Sequence, residues 1–196
     1  MALTEQHSAT QKTILAAALK RVAKFGYTKT TMCEIASDVE MSPANIYRHF
    51  KSKQAILKSC AERFIEERFS VIQLIVEDKN KTATKKIKDY VLTLARVTQE
   101  LTHGESHMPE VANIVTLAYP ELRKETIKRH QDIINTILLQ GVENKEFKQH
   151  PSPSSIAAFH IMLTVFEYPF LCHLYSKIEF ENHAKEVAKV LIDALK

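Results

Sequence analysis

The chain has 196 residues, 45% hydrophobic and 26% charged, with a formal charge of +4 and only 3 Gly, a length that suits one or two small domains. Against a usual glycine share of about 7%, few residues remain for tight hairpins or phosphate-cradling loops, which points away from an all-β fold. No run approaches the roughly 18 apolar residues of a membrane span, and Cys33, Cys60 and Cys172 are too widely spaced for a disulfide framework or a zinc site; a cytoplasmic chain with reduced thiols and no metal or cofactor is expected.

Ser8 and Gln11 have capping-box spacing, and Ile14, Leu15, Ala18, Leu19, Val22 and Phe25 then recur at helical intervals until Gly26. Thr31 and Glu34 repeat the box before the short stripe Met32, Ile35, Ala36 and Val39. Ser42 is an N-cap with Pro43 at the first helical position, and Ile46 and Phe50 share a face. Only about three residues separate these two short helices, the span of a helix-turn-helix connection. Ser52 caps a fourth helix over 53–76, about 36 Å long, enough to bridge two domains.

Further helices are marked by Ile87 to Leu101, ending near Gly104, by Val111 to Ala118, and by Leu122 to Leu138, stopping near Gly141. Residues 144–153 read as the longest loop. Ser152 and Pro153 restart the chain, and Ile156, Phe159, Leu163, Phe166, Phe170, Leu171 and Leu174 form a wide apolar stripe that Pro169 kinks or interrupts. Val187, Val190, Leu191, Ala194 and Leu195 mark a closing helix. The expectation is an all-α protein of about nine helices, with a helix-turn-helix domain over 1–53 and a larger helical domain over 54–196.

Charge is uneven. Residues 1–60 hold nine Lys and Arg against four Asp and Glu, whereas the remainder is net −1. A basic N-terminal module suits a polyanion. Residues 30–53 read TTMCEIASDVEMSPANIYRHFKSK. With Phe25-Gly26-Tyr27 before them, the residues Thr30-Thr31, Ile35-Ala36, Ser42, Ile46-Tyr47, His49-Phe50 and Ser52-Lys53 resemble the helix-turn-helix of the tetracycline-repressor (TetR-like) family across about 45 residues. The resemblance implies a ligand-responsive transcriptional regulator, most often a repressor, that binds a palindromic double-stranded DNA operator as a homodimer. Glu40 stands where the family usually has a turn glycine, and Cys33 and Ala44 also depart from its common residues.

The chemistry of the segment agrees with that resemblance. The start of the second helix of such a motif enters the major groove, where Pro43 and Ala44 let the backbone approach, Ala44 meets a thymine methyl, and Asn45 offers a paired donor and acceptor. Tyr47 and His49 have polar tips suited to phosphate, as has the Arg48 cation, although Arg48 equally suits a solvated face. Thr31 and Lys53 begin helices whose N-termini favour phosphate. Thr31 and Ser42 serve equally well as caps alone.

For the larger domain the resemblance implies a ligand cavity and a dimer face. The last two helices are expected to pair with their copies. Phe69, Val91, Leu94, Thr98, Val111, Ile114, Val115, Tyr119, His130, Ile134, Phe159, Met162 and Phe166 are the candidate lining for a small apolar or amphipathic effector, each equally suited to plain core. Glu167 is a further polar candidate or a surface residue, and His103, His107 or His130 offers to orient a carboxylate or phenol. His103 and His107 have i, i+4 spacing, but Gly104 interrupts the helix that a metal pair would need. No nucleophile elbow, Walker loop or dinucleotide fingerprint is present, so no enzyme is expected. The alternative function is a helix-turn-helix activator, or a regulator working through protein contacts without an effector.

Overall fold

The computed structural model describes residues 8–101, 107–148, 150–168 and 172–196. Among them lie nine α-helices, one short 3-10 turn and no strand. The helices are α1 (Ala9–Phe25), α2 (Met32–Asp38), α3 (Pro43–His49), α4 (Lys53–Glu77), α5 (Ala83–Leu101), α6 (Met108–Ala118), α7 (Pro120–Glu143), α8 (Pro153–Glu167) and α9 (Lys177–Leu195), with the turn at Cys172–Leu174. They form two compact units: Met1–Arg68 with His103–Leu122, and Phe69–Thr102 with Arg123–Lys196.

The N-terminal unit follows its local signals closely. Ser8–Gln11 and Thr31–Glu34 both form reciprocal capping boxes, and Ser42 Oγ accepts the Asn45 N–H at 3.2 Å. Ile14, Leu15, Ala18, Met32, Ile35, Ala36, Ile46, Phe50 and Ile56 make its core, which fixes α1, α2, α3 and the start of α4 on one another. Arg21 of α1 brackets α2 from outside, donating to both carboxylate oxygens of Asp38 and lying 3.2 Å from Glu34. Glu40 adopts φ +54°, so a side-chain-bearing residue accepts the left-handed turn that glycine makes at no steric cost.

Helix α6 packs in this same unit. Val111 is buried with Val22 and Leu57, and Met108, Ile114 and Val115 close around them. His107 N–H donates to Ala23 O at 3.0 Å, near the end of α1, and Tyr119 OH donates to Gln54 O at 3.0 Å in the first turn of α4.

In the C-terminal unit, α5 lies against α8 and α9. Phe166 and Phe180 meet edge to face at 5.3 Å, and Arg96 donates to Glu181 at 2.9 Å. Lys86 Nζ of α5 donates to Val76 O and to Gln140 Oε1 at 2.8 Å, tying the last turn of α4 and helix α7 to α5.

Helix α7 ends at Glu143, near Gly141 as expected, but Gly141 itself lies within the helix. A β-carbon at Gly141 would overlap the buried Phe147 ring, so this glycine permits a close approach and does not end a helix. The stripe read as reaching Leu174 ends its helix at Glu167, followed by the separate 3-10 turn; Pro169, the expected breaker, and Phe170 and Leu171 lie outside the described residues.

Candidate DNA-reading surface and buried polar cluster

Helix α3 is one-sided. Ile46 and the flanking Phe50 are buried, and they hold the helix so that Ser42, Pro43, Ala44, Tyr47 and Arg48 are exposed, with Asn45 and His49 half-buried. The exposed set begins at the helix N-terminus, where a proline and an alanine leave the backbone accessible. Lys29 and Lys51, both exposed, flank the motif; sequence reasoning passed over them, although each is a basic residue within two positions of a helix cap.

Two expected phosphate contacts are already engaged within the chain, Thr31 at the exposed surface and Lys53 partly buried. Thr31 Oγ1 and its N–H both donate to Glu34 Oε2, each at 2.8 Å, and those bonds hold the Glu34 carboxyl below its usual pKa. Lys53 Nζ donates to Tyr27 O and Thr30 O, each at 2.7 Å, and lies 4.1 Å from the Tyr27 ring centroid. Burial lowers the pKa of that ammonium. Cys60, half-buried, has its thiol directed at Leu15 O; burial pushes its pKa up to about 12, which makes it unreactive.

The candidate pocket residues fall into both units. Val111, Ile114, Val115 and Tyr119 belong to the N-terminal unit, with Val111, Ile114 and Val115 in the hydrophobic packing described above. Phe69, Val91, Leu94, Thr98, His130, Ile134, Phe159, Met162 and Phe166 belong to the C-terminal unit. Met162 corrects the expectation of an inward lining, being 50% exposed, and Thr98 is engaged in donating to Phe166 O at 2.7 Å.

Around His130 the C-terminal unit buries a polar cluster. Tyr90 OH lies 2.6 Å from His130 Nδ1, and His160 Nε2 lies 3.0 Å from Glu167 Oε1. His130 Nε2 faces the same carboxylate at 3.8 Å, and the Phe69 ring lies 4.6 Å from the imidazole. Glu167 is thus interior and not a surface residue. Sequence reasoning missed Tyr90 and His160; the signal was present, since His160 falls on the buried face of α8 beside Phe159 and Leu163. His103 lies outside the described residues and His107 pairs with Glu110 at 3.4 Å. Among the described residues no three His, Cys, Asp or Glu side chains meet as a metal site, and no helix is long and apolar enough to cross a membrane.

Residues 14–60 match the family model described as bacterial regulatory proteins, tetR family. The transcriptional regulator YvkB of Bacillus subtilis is 38% identical over 64 residues, covering 33% of this chain and 34% of that protein. YerO of the same organism is 25% identical over 197 residues, covering 93% of the chain and 62% of its own length, so the chain spans less than two thirds of either relative. The B. subtilis fatty acid metabolism regulator protein is 29% identical over 143 residues, covering 69% of this chain and 70% of that protein. A transcriptional regulator from Cytophaga hutchinsonii has the same fold, with a TM-score of 0.77 at 21% identity over 96% of this chain and 99% of that one.

Proposed function

We propose that this chain, whose residues 14–60 match the tetR family model, is a helix-turn-helix transcriptional regulator that acts in the cytoplasm as a homodimeric repressor and leaves a palindromic operator when a small apolar or amphipathic effector binds. The observation that carries this reading is the exposed N-terminal face of α3, anchored from behind by Ile46 and Phe50. Ala44 and Asn45 read base edges there, and Tyr47, Arg48 and His49 meet phosphates. Residues 1–53 do the reading and 54–196 the regulation.

The dimer reading draws on the apolar surface of the last elements. Ile161, Leu174, Ile178 and Val190 are each more than half exposed, an arrangement better suited to a partner helix than to water. Twofold pairing gives half-sites one helical turn, or a multiple, apart.

For the effector, Val91, Leu94, Ile134, Phe159 and Phe166 supply an apolar interior in the C-terminal unit, and Tyr90, His130, His160 and Glu167 its polar groups. The name of the B. subtilis fatty acid metabolism regulator makes fatty acids the first compounds to test. The effector acts by favouring one of two conformations, with α4, which contributes residues to both units, as the lever.

The test is selection from random duplex DNA at a fixed salt concentration, followed by titration of fatty acids of increasing chain length against the retained duplex. An enriched palindrome released by the acid is the expected result. No enrichment overturns the operator reading, and a palindrome indifferent to the acid overturns the effector class.

A further inference from the structure

Lys53 opens α4, a place where sequence position suggests a phosphate contact. Its ammonium is directed into the N-terminal unit instead. Two of its three donors meet Tyr27 O and Thr30 O, each at 2.7 Å, and the Tyr27 ring lies 4.1 Å from the nitrogen. Both carbonyls lie in the turn between α1 and α2, directly before Thr31, the N-cap of α2. The same turn is held from its other side by buried Thr30, whose hydroxyl donates to Gly26 O at 2.9 Å.

We propose that Lys53 is a positioning residue that fixes the α1–α2 turn, and with it the start of α2, against the start of α4, and that it makes no phosphate contact. The inference rests on the DNA-reading function proposed above and changes how that surface is assembled. Charge-assisted hydrogen bonds to two carbonyls are stronger than neutral ones, and they hold the ammonium in this seat: a phosphate that pulled it out would break both and leave two carbonyls without their cation. Exposed Arg48 and Lys51 carry the phosphate contacts at no such cost.

The full chain is tested in two arms. In the first, reductive methylation of lysines is mapped by mass spectrometry with and without a mixed-sequence DNA duplex. Lys53 reacts slowly in the free protein and is unchanged by DNA, whereas exposed Lys29 reacts fast. A Lys53 as reactive as Lys29, or one that becomes protected only when DNA is added, overturns the proposal.

In the second arm, Lys53→Met and Lys53→Arg are compared with Arg48→Ala in salt titrations of binding to that duplex. Removing a phosphate contact lowers the slope of log K against log salt by about 0.9. Lys53→Met weakens binding by about tenfold at an unchanged slope, from loss of the charge-assisted bonds. Lys53→Arg fails to restore it, because a planar guanidinium fits the narrow seat between two carbonyls and a ring poorly. A slope lowered in Lys53→Met and recovered in Lys53→Arg marks a phosphate contact and overturns the proposal. A chain that bound no duplex would remove the proposed function, while the reactivity of Lys53 in the free protein would still decide its role in the fold.

Discussion

Glu146 caps the helix that begins at Ala83, 63 positions earlier in the chain: its two carboxylate oxygens accept the Ala83 and Thr84 N–H groups at 2.8 and 2.9 Å. Thr82, just before the helix, makes the usual local cap, its Oγ1 accepting the Lys85 N–H at 3.2 Å. Glu146, in the loop after α7, takes the two N–H groups ahead of that one, which ties α5 to the end of α7.

Removing that carboxylate by Glu146→Ala is expected to destabilise the protein by about 1 to 2 kcal/mol, read by urea unfolding at neutral pH. Burial tends to raise the Glu146 pKa, but the N–H donors of Thr84 and Ala83 outweigh it and the net shift is downward. A carboxylate lowered in the folded state adds stability above its unfolded pKa and loses it as pH falls through the folded value. The gap between wild type and Glu146→Ala should therefore narrow as the solution is acidified below the ordinary carboxylate range. A gap that widened with acid would contradict the cap.

Glu40 holds φ +54° in the turn between α2 and α3. Replacing it by glycine relieves strain of about 1 kcal/mol, partly offset by the greater freedom of the unfolded chain. Glu40→Gly is expected to leave the melting temperature level or slightly raised, whereas β-branched Glu40→Val lowers it clearly. Equal melting temperatures for glycine and valine would show that the turn does not require the left-handed conformation.

At Gly141 an alanine would place its β-carbon inside the Phe147 ring. Helix propensity alone favours alanine by about 1 kcal/mol. Overlap with a buried aromatic is expected to reverse that sign, giving a net loss of about 1 to 3 kcal/mol in denaturant unfolding. Phe147→Leu in the same chain should recover part of the loss from Gly141→Ala, a coupling that a double-mutant cycle measures.

Asn45→Ala and Arg48→Ala separate base reading from phosphate binding. The first should relax sequence preference at one operator position by about 1 to 3 kcal/mol, and the second should weaken all sequences alike while flattening the salt slope. Competition binding with single-base operator variants distinguishes them; uniform loss for Asn45→Ala would remove it from the base readers.

Ile178 and Val190 of α9 are 74% and 66% exposed. If α9 carries the dimer contact, a charge placed there is costly to bury and has no partner. Ile178→Glu and Val190→Glu are expected to shift the protein toward monomer in sedimentation equilibrium while preserving the helical circular dichroism spectrum. Dimers unaffected by both changes would place the interface elsewhere.

The sequence by itself determined the helices and the helix-turn-helix. Capping pairs such as Ser8 with Gln11 and Thr31 with Glu34 operate within three residues, and apolar periodicity states which side of a helix is inward, so both survive in any tertiary setting. What an inward or end-of-helix residue meets depended on the neighbour the fold supplies. Lys53 found its carbonyls 23 and 26 positions away, His130 its Tyr90 hydroxyl 40 away, and Gly141 reads identically as a stop or as room for a ring until Phe147 is in place. Glu167 gave no local sign of burial, because only the imidazoles brought to it by α7 and α8 offset the cost of taking a carboxylate out of water. Short-range hydrogen bonding and periodicity are properties of the chain, whereas desolvation and the partners that compensate it exist only once the helices have packed.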